Sequence, residues 1–268
     1  MEGAGVKLKR VFGFNQVPLF DPFLLLDHFG SDNPSDYLKG FPWHPHRGIE
    51  TITYMVEGKV EHKDSLGNIG VIESGDVQWM TAGSGIIHQE MPKQFEGKMM
   101  GFQLWANLPA SNKMMDPRYR DILKNQILEV IINDKAKAKI ICGKISDTIG
   151  PVTDIVTYPE YFDISIDKEG SFSHEVKENH TVFAFVYEGA AYFDSKQKKP
   201  VIAGEIVLYD KGEVVKIYTK DQSVKFLLIS GKPLNEPVAW YGPIVMNTEK
   251  ELQIAFQEYR NGTFIKHK

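Results

Sequence analysis

The chain has 268 residues, 42% of them hydrophobic and 25% charged, with a formal charge of −4. That length suits two domains, and the composition suits a chain that buries a sizeable core. The small negative charge gives no basis for direct nucleic-acid binding through a broad basic surface. A single cysteine, Cys142, excludes an internal disulfide framework and an all-thiolate zinc site.

Residues 2–10 hold no apolar signal core, and no later stretch approaches a membrane span. The expectation is a cytoplasmic protein with no membrane partner. His44-Pro45-His46 leads into the strand-like run Thr51–Val56. Alternate side chains of an extended backbone share a side, so His44 and His46 face one way and Glu50 has their parity. Arg47 points the other way, toward a structural ion pair or a substrate contact. His62, inside Glu61-His62-Lys63-Asp64, reads as exposed.

The glycine-rich turn Ala82-Gly83-Ser84-Gly85 opens the segment Ile86-Ile87-His88-Gln89-Glu90, where His88 and Glu90 again share parity. The residues between His46 and His88 suffice for about four strands, enough to fold a wall back onto itself. If they converge, three imidazoles and one carboxylate suit iron(II), zinc, nickel, manganese or copper, and leave coordination positions open. Open positions on a redox-capable metal mean substrate and O2 chemistry; on zinc they mean an activated water. Gln103 and Trp105, in the run Met100–Trp105, share a face and are candidates to line a cavity.

Near residues 133–138 the chain turns polar, which divides it into 1–136 and 137–268. Glu57-Gly58 is echoed by Glu188-Gly189, and Gly75-Asp76-Val77 by Gly204-Glu205-Ile206. A repeat of about 130 residues is too long for a solenoid and fits two tandem domains. Cys142 ends the apolar run Ile140-Ile141-Cys142 and is expected to be buried. The runs Thr181–Tyr187 and Val224–Ile229 continue the strand pattern, so the fold class is all-β, of the sandwich or barrel type. Shifting the ligand positions by the repeat reaches His174 but then Val176, Tyr218 and Lys220. His180 shares parity with His174, yet two histidines make a poor site, and no second metal is expected. After Thr248, the pattern Thr248-x-x-Glu251 is a capping box, and Leu252, Ala255, Phe256 and Tyr259 make a helical apolar stripe.

The segments Phe41–Thr51 and Gly75–Pro92 resemble the pirins of the cupin superfamily. Asp116-Pro117-Arg118-Tyr119 and Gly242–Thr248 extend the likeness over nearly the whole chain. The resemblance implies two tandem cupin-type, jelly-roll-like β-barrels with a short C-terminal helix. It implies one mononuclear divalent metal, usually iron, in the first barrel, with ligands at His44, His46, His88 and Glu90. Glu50 would stand beside the metal and orient a ligand imidazole through its second nitrogen. The implied activity is quercetin 2,3-dioxygenase-type cleavage of a flavonol or similar enolisable aromatic by O2, with Glu90 as catalytic base. The alternative is a metal-dependent, redox-sensing regulator that binds a protein partner without catalysis.

Overall fold

The computed structural model describes residues 2–94, 96–194, 196 and 198–267. Its regular structure is mostly strand, with one short C-terminal helix, and the chain divides into two units. Unit 1 comprises the chain up to Leu19, Phe23–Lys124 and the chain from Leu234 onward; unit 2 comprises Phe20–Pro22 and Asn125–Pro233. No helix among the described residues is long and apolar enough to cross a membrane.

Unit 1 carries β1 (Leu8–Phe12), β2 (Phe23–Ser31), β3 (Phe41–His46), β4 (Ile49–Glu57), β5 (Lys59–Asp64), β6 (Ile69–Glu73), β7 (Val77–Thr81), β8 (Ile86–Pro92), β9 (Met99–Asn107) and β10 (Arg118–Ile122). Six of them form a sheet in the order β1-β2-β9-β4-β7-β10, and the other four form a sheet in the order β3-β8-β5-β6. Residues alternate along β5 and β8 between buried and partly exposed, as they must where one face of a sheet meets a core. Leu24, Ile49, Met80, Ala82 and Ile86 fill part of that core.

Unit 2 is a second sheet system, in which Ala136–Cys142, Glu160–Ile166, Val224–Gly231 and Thr181–Ala191 pair in that order. Phe162, Phe172, Phe226 and their apolar neighbours are buried together. Cys142 is buried as expected, its thiol directed at the Val152 and Pro159 carbonyls.

The echoed dipeptides build the same local structure twice. Gly75 N–H donates to Met55 O at 2.7 Å and Met55 N–H to Asp76 O at 3.0 Å; Gly204 N–H donates to Val186 O at 2.7 Å and Val186 N–H to Glu205 O at 3.0 Å. Gly75 and Gly204 both have φ near +90°, a conformation that carries no Cβ penalty only for glycine. The two turns are therefore one device repeated, once in each unit, as expected of the two tandem cupin-type barrels that the resemblance implies.

The C-terminal segment was expected with the second half, yet it groups with unit 1. Its hairpin, Ala239–Tyr241 with Ile244–Met246, and the helix α1 (Glu249–Arg260) bury Ile244, Met246, Leu252, Ala255 and Phe264 together. Val245 also joins the unit 1 core and donates its N–H to Arg47 O at 3.1 Å. The capping box forms as read: Glu251 N–H donates to Thr248 Oγ1 at 3.2 Å, and Thr248 N–H to Glu251 Oε2 at 2.9 Å.

Candidate metal centre

Strands β3 and β8 pair antiparallel with His44 opposite His88 and His46 opposite Ile86. That register, with the period-2 side-chain alternation, places three imidazoles together. His44 Nε2 lies 3.0 Å from His46 Nε2 and 2.9 Å from His88 Nε2. Two ligand nitrogens at right angles on a metal, each at a bond length of ~2.1 Å, stand about 3.0 Å apart.

The other ring nitrogens decide which nitrogen each imidazole presents to the cluster. His44 Nδ1 lies 2.8 Å from Pro42 O, and His46 Nδ1 lies 2.9 Å from Pro243 O. A carbonyl oxygen only accepts, so each Nδ1 carries the proton and each Nε2 presents a lone pair. Two lone pairs 3.0 Å apart repel unless a cation lies between them. Burial, helped by the neighbouring imidazoles, holds the pKa of His46 and His88 well below the ordinary histidine value, so a proton is a poor occupant. The set fits a metal ion, and His44, His46 and His88 are the residues placed to hold one.

The fourth expected ligand stands apart. Glu90 is buried two residues beyond His88, but its carboxylate is not among the clustered donor atoms; Thr53 Oγ1 donates to its Oε1 at 3.1 Å. It lines the same cavity as His44 and His46, a space of about 770 Å³. Phe41, Trp43, Trp105 and Trp240 line it too, and so does Gln103, the candidate from β9.

Two other expectations are corrected. Glu50 does not orient a ligand imidazole, because the second nitrogens of all three imidazoles face other groups. It is 1% exposed and accepts from Thr81 Oγ1 at 2.6 Å, on the six-stranded sheet. Burial raises its pKa, against the pull of Thr81 and of Arg118 and Arg120. Arg47 is no pocket residue either. It donates to Ser84 O at 2.7 Å, Glu258 Oε2 at 2.7 Å and Phe264 O at 2.8 Å, with its guanidinium 4.2 Å above the Phe264 ring. It clamps the turn before β8 to the C-terminal segment that supplies the Pro243 carbonyl.

His62, which the sequence left exposed, is wholly buried. Its Nδ1 lies 3.4 Å from His88 Nδ1 and its Nε2 lies 3.1 Å from Asp64 Oδ2. The signal that could have found it is parity with Val60, the one apolar residue of β5. Tyr119, from the Asp-Pro-Arg-Tyr segment, stacks on its ring at 4.3 Å.

The match to known proteins follows these residues. The pirin profile covers residues 5–106, which contain all three imidazoles, and the pirin C-terminal cupin domain covers 161–265. The chain belongs to the pirin family. A pirin-like protein of Caulobacter vibrioides is 41% identical over 98% of this chain and 94% of its own length. A Pseudomonas aeruginosa protein named provisionally as a quercetin 2,3-dioxygenase is 42% identical, over 97% of this chain and 93% of its own. The crystal structure of a quercetin 2,3-dioxygenase from Acinetobacter baumannii superposes with a TM-score of 0.91 at 33% identity, covering 98% of this chain and 93% of that one.

Proposed function

We propose that this pirin is a metal-dependent dioxygenase that opens the ring of a flavonol or a similar enolisable aromatic, as quercetin 2,3-dioxygenases do. The observation that carries the reading is the cavity: imidazole Nε2 lone pairs and one carboxylate meet an aromatic-lined space of about 770 Å³. That volume lies within the roughly 300–1,000 Å³ of small-molecule sites.

The metal would be held by His44, His46 and His88, with Glu90 as the proposed fourth ligand, and iron(II) is the ion favoured. Bound there, it would supply Lewis-acid binding of the substrate's hydroxyl and carbonyl oxygens and an electron route to O2. Glu90 accepts the flavonol hydroxyl proton at its carboxylate, leaving an electron-rich enolate. Phe41, Trp105 and Trp240 hold the planar rings by offset or edge contacts and keep water away from them. Both oxygen atoms of O2 enter the opened product, and one ring carbon leaves as carbon monoxide.

The test is anaerobic loading with iron(II), then oxygen uptake on adding quercetin, with His88→Ala as control. Uptake that vanishes in the control supports the reading. No uptake by protein holding one iron would sink it and leave the metal-dependent, partner-binding protein as the better account.

A further inference from the structure

We infer that Asp64 and His62 form a positioning pair that sets the proton arrangement of His88 and so presents its Nε2 to the metal. This rests on the metal-centre reading above, not on the identity of the substrate. The deduction starts outside the site, at the turn following β5. Asp64 Oδ1 accepts from Leu66 N–H at 2.8 Å and Asn68 N–H at 3.1 Å, and Oδ2 accepts from Asn68 Nδ2 at 2.9 Å. These donors fix the carboxylate as an acceptor. His62 Nε2, 3.1 Å from Oδ2, must therefore carry a proton and donate it.

A neutral imidazole has one donor and one acceptor. With its proton on Nε2, His62 offers a bare Nδ1, which faces His88 Nδ1 at 3.4 Å. His88 must then hold its own proton on Nδ1. Its Nε2 is left as a lone pair, 2.9 Å from the lone pair of His44. His44 and His46 take their arrangement from backbone carbonyls; His88 takes it from a carboxylate through an intervening imidazole.

The surroundings hold His62 still. Its register partner on β8 is Glu90, and Asp64 pairs with His88 itself. Tyr119 covers the ring, and its hydroxyl donates to Asp121 Oδ1 at 2.6 Å. Gly70, opposite His62 on β6, leaves room for that hydroxyl, which a Cβ there would overlap. A fully buried, ring-stacked histidine bonded at both nitrogens keeps one orientation, and losing a partner of this kind typically weakens metal affinity about 10- to 100-fold.

The pair makes two predictions that need no oxygen chemistry. In the zinc-loaded wild-type protein, ¹⁵N NMR of the ring nitrogens should show the His62 proton on Nε2, toward Asp64, and the His88 proton on Nδ1. His62→Phe keeps a ring against Tyr119 but removes the acceptor, and should weaken zinc binding about 10- to 100-fold in competition with a chelator. His62→Gln, whose amide oxygen can accept from His88 Nδ1–H, should recover most of that loss. A protonated His62 Nδ1 in the wild type, or a His62→Phe variant that binds zinc as tightly as wild type, overturns the inference. Wild-type protein that binds no zinc overturns the metal centre and this inference with it, so the two failures are told apart.

Discussion

Replacing Gly48 by alanine presses on the point where the strand carrying His44 and His46 meets the C-terminal segment. Gly48 has φ +79°, and a Cβ there would overlap the Val245 carbonyl oxygen and lie 3.2 Å from its carbon. The left-handed backbone costs a non-glycine residue about 1–2 kcal/mol. Pushing Val245 away also breaks its N–H bond to Arg47 O and the bond it accepts from Lys113 Nζ at 3.2 Å. Each of those losses is worth about 1 kcal/mol. The total is roughly 3–4 kcal/mol, or a fall in Tm on the order of 10 °C for a unit of this size.

Gly262→Ala is the control. Gly262 has φ +71° with open space where the Cβ would go, so only the backbone cost of about 1–2 kcal/mol applies. Thermal unfolding followed by circular dichroism compares the two variants, and zinc affinity provides a second readout. Gly48→Ala should also weaken zinc binding, because Pro243, whose carbonyl orients His46, lies two residues from the displaced Val245. Equal Tm losses in the two variants would refute the contact argument, and unchanged zinc affinity would refute the link to His46.

Lys113 is buried against Gly48 O, Asn107 Oδ1 and Val245 O, and burial brings its pKa down to about 7, with Glu236 and Glu251 opposing. Between about pH 7 and 10 the unfolded chain holds this proton and the folded chain does not, so stability rises with pH by up to ~1.4 kcal/mol per unit. Urea denaturation across that range should show a flatter rise in Lys113→Met; parallel slopes would contradict the assignment. Glu50 is the opposite case: its pKa is raised on folding, so its contribution falls as pH climbs above its unfolded value. Glu50→Gln should be more stable than wild type at pH 7, with the gain gone near pH 4, and a variant less stable at pH 7 would refute the cost of the buried charge. Glu90→Gln should keep iron on the three imidazoles while quercetin-dependent oxygen uptake drops about 10²- to 10⁴-fold; uptake within a few-fold of wild type would remove Glu90 as the base.

The sequence carried the site as far as strand parity reaches. His44 with His46, and His88 with Glu90, were legible as same-side pairs because a residue and its second neighbour share a side of any extended strand; the pairing of β3 with β8 is what brings the three imidazoles together. The two turns at Gly75 and Gly204 were legible for a similar reason, since a left-handed conformation restricts the residue locally. So was the start of α1, where Thr248 and Glu251 satisfy each other's backbone. Pirin membership follows from such local segments taken together.

What lay beyond the sequence depends on which strands become neighbours. Glu61 and Lys63 flank His62 with charge, and only the pairing of β5 with β8 turns its ring toward His88. Glu50 has the right parity, but β4 joins the sheet of β7 and β9, where Thr81 takes its carboxylate. The last 35 residues follow the second half in the chain and pack with the first unit, because Val245 and Arg47 bond across nearly 200 positions of sequence. Side-chain alternation is a property of a few consecutive residues, and any one strand displays it alone. Proton partners and domain membership are settled by contacts between distant segments, for which one sequence holds no local signal.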